Sequence, residues 1–276
     1  MKGTVVYKMS ASGNDFVMVD GRTSAVATWT PERVRDVCAR RTGVGADGVA
    51  VIEPGSGIGT IRFTYFNRDG NRAAMCGNAS LCATRLAARL ELARADGMVL
   101  ETDIGTIPAR VLAGDVDRAE IGFPDVAGLT VPDIEMAPGE RSIHFVKVGV
   151  PHLVVVVDEI DAPAAAPEER GRALRSHDFL GPEGANVNFL GCNNGTWRIR
   201  TFERGVEAET LACGTGAVAA AATLCNVAKV ALPLQVKTSS GALLEVSGEA
   251  AAHPLLGLSQ PRLVGQARMI LRGVLL

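Results

Sequence analysis

Residues 61–80 read IRFTYFNRDGNRAAMCGNAS, and residues 197–217 read WRIRTFERGVEAETLACGTGA. Each stretch opens with an alternating, β-branched and aromatic run, passes through a glycine-containing loop, and reaches a Cys-Gly pair just ahead of a helical pattern. Beyond each helix come two strand-like runs joined by a Thr-x-x-Gly turn, Thr102 to Gly105 and Thr238 to Gly241. Cys76 and Cys213 stand 137 positions apart and Thr102 and Thr238 stand 136 apart, while half of the 276-residue chain is 138. Two features held in register to within one residue point to one long repeat, copied twice. The expected fold is α+β: two pseudo-symmetric domains, each a strand-rich, barrel-like sheet wrapped around a central helix. The expected domains are 1–123, closed by a C-terminal strand within 264–276, and 124–263.

Working outward, strands are predicted over 5–9, 16–20, 49–53, 61–67, 98–102 and 107–112, the last two as a hairpin through Asp103-Ile104-Gly105-Thr106. In the second half they are predicted over 143–148, 153–158, 187–190, 197–203, 234–238 and 243–247, with 269–272 closing the chain. Thr30-Pro31-Glu32 supplies a cap, an N1 proline and a first-turn acid, so a helix is predicted to about residue 40, and 167–176 looks similar. Two longer helices are predicted over 78–93 and 215–230. The second is apolar nearly all round and should be buried.

Composition narrows the class. Hydrophobic residues make up 47% and charged residues 21%, enough for a sizeable core and far from disorder. No apolar run reaches the roughly 18 residues a membrane span needs. The start turns polar too soon for a signal peptide, so a cytoplasmic protein is expected. Net charge is −2 and aromatics are 4%, which argues against a nucleic-acid partner. Six cysteines without a Cys-x-x-Cys pair, and four histidines, make a structural zinc site an unpromising explanation; free thiols in a reducing compartment are expected.

The chemistry lies at the repeated cysteines. A helix N-terminus carries unsatisfied N–H groups and partial positive charge. It lowers a cysteine pKa from about 8.5 toward neutrality and binds a carboxylate through backbone N–H groups. Gly77, Gly214 and Gly216 let that backbone approach a ligand. Two such helices facing one cleft would hold one carboxylate and place a thiol on each side of it. Inverting an α-carbon needs that arrangement, a base on one face and an acid on the other, and the scheme demands no cofactor. The bland reading is that Cys76 and Cys213 are buried structural thiols.

The segments Ser12-Gly13-Asn14-Asp15-Phe16, Gly43-Val44-Gly45-Ala46-Asp47-Gly48, Phe66-Asn67-Arg68-Asp69-Gly70, Met75-Cys76-Gly77-Asn78 and Glu203-Arg204-Gly205…Ala212-Cys213-Gly214-Thr215-Gly216 closely resemble the diaminopimelate epimerase family, in family order. The resemblance implies a two-thiol mechanism independent of pyridoxal phosphate that interconverts LL- and meso-2,6-diaminopimelate on the route to lysine and peptidoglycan, in a cytoplasmic protein that is commonly a homodimer. It implies that Cys76 and Cys213 are the catalytic thiols, and that Gly77-Asn78 and Gly214-Thr215 cradle the reacting carboxylate. Asn14 would line the site. Asn67, Asn186 and Arg204 would hold the distal carboxylate, Glu203 would contact an amino group and support a thiol, and His152 would stand beside the thiols. Taken alone, Asn14 and Asn67 could be turn residues, Glu203 and Arg204 a solvated pair, and His152 structural. Cys38, Cys82, Cys192 and Cys225 match no catalytic position, and Cys82 and Cys225 are expected in the core. Gly43 to Gly48 fits G-x-G-x-x-G but follows a helix and precedes a strand, so it reads as a loop rather than a nucleotide site.

Three departures bear on the substrate. Ala79-Ser80-Leu81-Cys82 replaces the family's usual Gly-x-Arg-Cys. Val150 stands where Gly-Asn-Pro-His has asparagine, and valine cannot donate a hydrogen bond. The stretch Gly205–Thr210 is one residue longer than the common form. A cofactor-independent racemase of another amino acid, such as histidine, is therefore the alternative. A non-catalytic amino-acid-binding protein is the third reading, and the retained thiols count against it.

Overall fold

A computed structural model describes residues 3–115, 117–162, 167–250 and 256–276. The chain divides into two compact units, Met1–Gly122 with Val264–Leu276, and Phe123–Leu263.

Unit 1 contains β1 (Val5–Ala11), β2 (Asn14–Asp20), α1 (Pro31–Cys38), β3 (Gly48–Pro54), β4 (Thr60–Asn67), β5 (Arg72–Ala73), α2 (Gly77–Arg89), β6 (Met98–Thr102), β7 (Gly105–Val111) and β8 (Arg118–Gly122). Strand β1 runs antiparallel to β2, β2 parallel to β3, β3 antiparallel to β4, and β4 both antiparallel to β5 and parallel to β6. Unit 2 contains β9 (Val126–Ala127), β10 (Glu140–Val148), β11 (Val150–Val157), α3 (Arg172–Arg175), β12 (Asn186–Asn193), β13 (Thr196–Glu203), β14 (Ala208–Thr210), α4 (Gly214–Val227), β15 (Leu234–Lys237) and β16 (Leu243–Ala250). The chain then leaves unit 2 within β17 (Leu256–Gln266) and ends in β18 (Arg268–Val274), which pairs with β1. The pairing of β10 through β15 copies that of β1 through β6, sense for sense. The repeat read from two Cys-Gly pairs is thus a repeat of sheet topology, and the fold is α+β.

Each unit is built around one buried helix. Helix α2 packs on β1, β2, β3, β4, β6, β7 and β8, and α4 on β10, β11, β12, β13 and β16. In α2, Ala79, Leu81, Cys82, Ala83, Leu86 and Ala87 are fully buried. Truncating Leu81 or Leu86 to alanine would cost about 2–5 kcal/mol. Helix α4 buries an alanine run, Ala217 and Ala219–Ala222, whose small side chains bring the strands close to the helix axis. Two threonine hydroxyls buried in these helices bond back one turn, Thr84 to the Ser80 carbonyl at 2.8 Å and Thr223 to that of Ala219 at 2.9 Å. No helix among the described residues is long and apolar enough to cross a membrane.

The predicted helices are present but shorter. The first stops at Cys38, with Thr30 capping it through Arg33 N–H, and the central helices stop at Arg89 and Val227. The 167–176 segment is a π-helical turn followed by the single turn α3. The hairpin turn is tighter than expected: Asp103-Ile104 alone forms the loop and Gly105 already pairs with Thr102. Strands β5, β8, β9, β14 and β17 are additions to the sequence reading. Strand β8 hides its nature because Glu120 lies inside it, 6% exposed and paired with Arg110 of β7 at 2.9 Å. Strand β17 contains Gly257 and Pro261, with Gln260 at φ 46°, features that read as loop.

Candidate functional site

The two predicted thiols occupy the same local position in their own units. Cys76 and Cys213 are the N-cap residues of α2 and α4, both with extended backbone, φ −137° and −129°. The strand before each helix places the cysteine, and the glycine after it starts the helix. Each helix thus starts with the free N–H groups of its first turn next to the cysteine; the Cys213 side chain caps α4 through Gly216 N–H, and that of Cys76 makes no capping bond to α2. None of the six cysteines is in a disulfide. Burial pushes Cys38 up to about 12 and also raises Cys82 and Cys225, which keeps these three neutral. Cys82 and Cys225 are core thiols, as expected. Cys192 is exposed on β12.

In unit 1 the N-terminus of α2 is tied to a polar network. Asn78 Nδ2 donates to Asn14 Oδ1 at 2.7 Å, and Asn14 Nδ2 donates to Asp47 Oδ2 at 3.0 Å. Asp47 also accepts the Asp15 backbone N–H at 3.2 Å and Arg40 Nη2 at 2.7 Å. Arg40 returns to Asp15 at 2.8 Å, and Lys8 Nζ reaches Asp15 Oδ2 at 2.6 Å. Burial pushes the Asp15 carboxyl up, but the hydrogen bonds and charges of Arg40 and Lys8 outweigh it and hold the group below its ordinary value. Both ends of the Asn14 amide are engaged, so its orientation is fixed. Asn67 is exposed at the end of β4, paired in register with Gly48, its backbone closing the turn to Asn71. The glycine-rich segment 43–48 bonds back to the end of α1, Gly45 N–H to Val37 O at 3.0 Å and Ala46 N–H to Cys38 O at 3.1 Å. It is the loop that delivers Asp47, and it opens no helix.

Unit 2 places its residues at the corresponding strand ends. Cys213 is 7% exposed; its Sγ accepts the Gly216 N–H at 3.4 Å and lies 3.4 Å from Thr215 Oγ1. His152 on β11 pairs in register with Asn186 on β12. Asn186 Oδ1 accepts the Arg204 backbone N–H at 2.8 Å, and the Arg204 guanidinium donates to Glu183 O at 3.0 Å. Glu203 is half-buried as the last residue of β13. Asn188 Nδ2 lies 3.0 Å from His152 Nδ1 and donates to Leu153 O at 3.2 Å, while Thr201 Oγ1 donates to Asn188 Oδ1 at 3.0 Å. A Cβ on Gly216 would fall 2.2 Å from Asn188 Oδ1, so this amide lies directly against the first turn of α4. His152 is fully buried, and burial, with the charge of Arg204, lowers it to about 3; it is neutral.

The unit 1 residues of the sequence reading thus gather around the N-terminus of α2 and the adjoining ends of β2 and β4. Those of unit 2 gather around the N-terminus of α4 and the adjoining ends of β11, β12 and β13. Residues that sequence reasoning did not assign are Lys8, Asp15, Arg40 and Asp47 behind Asn14, and Asn188 and Thr201 behind His152. Asp15 lies in the Ser12-Gly13-Asn14-Asp15-Phe16 segment and Asp47 in the Gly43–Gly48 segment. Asn188 gave one signal, a polar residue between Val187 and Phe189 in a strand buried on both faces.

A model of the family described as diaminopimelate epimerase matches residues 6–120 and 144–255. The chain belongs to the diaminopimelate epimerase family. The diaminopimelate epimerase of Gemmatimonas aurantiaca is 41% identical over 280 residues, covering 96% of this chain and 97% of that protein. The one from Hydrogenobaculum sp. is 39% identical over 261 residues, covering 89% and 91%. Among solved structures, a phenazine biosynthesis protein of the PhzF family from Bacillus anthracis covers 100% of both chains, with a TM-score of 0.77 at 14% identity. A hydroxyproline epimerase from Agrobacterium vitis covers 100% of this chain and 91% of that one, with a TM-score of 0.67 at 16% identity. These two share the fold. The departures from the usual diaminopimelate epimerase pattern now have places. Val150 opens β11, half-buried, two residues before His152, and Ala79 and Ser80 are buried in α2. In the longer 205–210 stretch, Glu207 takes φ 58° and its carboxylate accepts Gly205 N–H at 2.9 Å and Arg175 Nε at 2.8 Å.

Proposed function

We propose that this chain interconverts LL- and meso-2,6-diaminopimelate, moving the α-proton between two cysteine sulfurs without pyridoxal phosphate. The observation that carries the reading is the repeated N-cap: each unit sets one cysteine, Cys76 or Cys213, ahead of its central helix with glycine beside it. The substrate is supported by relatives named diaminopimelate epimerase at up to 41% identity among those compared.

In this scheme one sulfur is thiolate and takes the α-proton, leaving a planar carbanion whose charge spreads into the carboxylate. The other sulfur, as thiol, gives its proton to the opposite face. The reverse direction exchanges the roles. Amide N–H groups at Gly77-Asn78 and Gly214-Thr215 receive the carboxylate, and their stabilisation of the developing charge is the large term. Asn14 orients the near end. Asn67, Asn186 and Arg204 hold the distal carboxylate, and Glu203 meets an amino group, with His152 supporting a thiol. The reaction requires both sulfurs to address one α-carbon. The setting this reading implies is a cytoplasmic homodimer making lysine and peptidoglycan precursors.

The test is α-hydrogen exchange in D₂O under reducing conditions, without pyridoxal phosphate, on LL-diaminopimelate and a panel of L-amino acids. Exchange with diaminopimelate, lost in Cys76→Ala and in Cys213→Ala, is the expected result. Absence of exchange with diaminopimelate overturns the substrate. Val150, which offers no side-chain donor where the family usually has asparagine, favours a racemase of another amino acid as the second reading, and exchange confined to one panel member would establish it.

A further inference from the structure

Asn188 is fully buried and its amide touches three partners whose demands differ. The Leu153 carbonyl can only accept, so the end of the amide 3.2 Å from it is Nδ2. Oδ1 then faces Thr201, whose hydroxyl donates to it at 3.0 Å. With the amide oriented this way, an N–H donor stands 3.0 Å from His152 Nδ1. Nδ1 must therefore be the bare, accepting nitrogen, and the proton of the neutral ring sits on Nε2. An imidazolium would set two N–H donors against each other. The ring is fully buried and Nε2 is a buried atom without a hydrogen-bond partner among the described residues. A buried donor left open in this way asks for an acceptor, and a bound substrate or a sulfur would supply one.

We propose that Asn188 is a positioning residue that locks His152 as the neutral tautomer with its proton on Nε2, making that N–H the group His152 offers to the site. Asn188 reaches the chemistry twice. It holds the ring, and its oxygen lies where a Gly216 side chain would be, against the turn whose N–H binds Cys213 Sγ. The role given to His152 rests on the epimerase reading; the tautomer itself does not.

The primary measurement is ¹⁵N NMR of the reduced, full-length wild type labelled at histidine, with the His152 ring assigned by its loss in His152→Gln. The expected spectrum shows the Nε2–H tautomer, unprotonated from about pH 5 to 8. An Nδ1–H tautomer, or a ring that titrates within that range, overturns the proposal whether or not the protein turns over diaminopimelate. The second measurement is Asn188→Asp, which keeps the shape and turns the donor into an acceptor. The expected outcome is a switch to the Nδ1–H tautomer and a fall in kcat for α-proton exchange of roughly tenfold or more, with KM nearly unchanged. A folded Asn188→Asp that keeps the wild-type tautomer overturns the proposal. Because its carboxylate also faces the Leu153 carbonyl, the wild-type spectrum decides alone if this variant does not fold. A wild type with the expected tautomer but no exchange of diaminopimelate refutes the substrate and leaves the lock standing.

Discussion

The two units share sheet pairing and the N-cap cysteine, yet they support those cysteines by opposite means. In unit 1, Asn14 and Asn78 at the start of α2 are braced by ions: Asp47, Asp15, Arg40 and Lys8, several of them partly in water. In unit 2, the start of α4 is braced by neutral groups in a dry interior, His152, Asn188 and Thr201. The difference can be followed position by position. Three residues after its cysteine α2 has Ala79, where α4 has Gly216. Strand register makes Ala50 the counterpart of Asn188, since Ala50 pairs with Tyr65 and Asn188 with Thr201. Unit 2 thus carries a small helix residue and a large polar strand residue where unit 1 carries two alanines. A neutral amide suits a dry position because an ion there would lose its hydration without full compensation. The same scaffold accepts either brace.

The largest effect should come from the feature the units share. Cys76→Ala and Cys213→Ala should each lower α-proton exchange by about 10³-fold or more, measured in D₂O with diaminopimelate. Equal losses would match the symmetry of the fold, and survival of either variant would break it. Next is Gly216→Ala, which collides with Asn188 Oδ1. It should cost about 1–3 kcal/mol in urea unfolding and reduce turnover. Gly216→Ala combined with Asn188→Ala copies the first unit's pair of alanines. It should recover much of the stability while turnover stays low; recovered turnover would show that the neutral brace is dispensable.

Acid should separate the units more gently. His152 and, through burial, His144 lie below their ordinary value in the folded state, both in unit 2. Below about pH 6.5 the unfolded chain takes up protons that these buried rings refuse, so stability falls as pH drops from there toward about 3. Asp15 is depressed instead, so its contribution is fully present above about pH 4 and is lost only as pH falls through its lower folded value. Hydrogen exchange followed from pH 7 to 4 should show α4 and β11 losing protection before α2 and β2. The smallest contrast is alkylation in a Cys192→Ser background. Half-buried Cys76 should react before Cys213, with Cys38, Cys82 and Cys225 inert.

Much of this architecture is legible in the sequence alone. Thr30-Pro31-Glu32 marked α1, and the alanine-rich run marked a buried α4, because caps and apolar periodicity act within a few residues. Strands β8 and β17 escaped because Glu120, Pro261 and Gly257 contradict local strand preference, and tertiary pairing overrides it. The half-length offset of Cys76 and Cys213, and the glycine beside each, are matters of order along the chain, so a repeat of cysteines at helix N-termini could be read directly. Which groups share a proton could not. Asn14 meets Asp47 across 33 residues and Asn188 meets His152 across 36. The end of an amide that faces its neighbour depends on every other acceptor packed around it. That orientation exists only once the strands lie side by side, and it decides what His152 can donate.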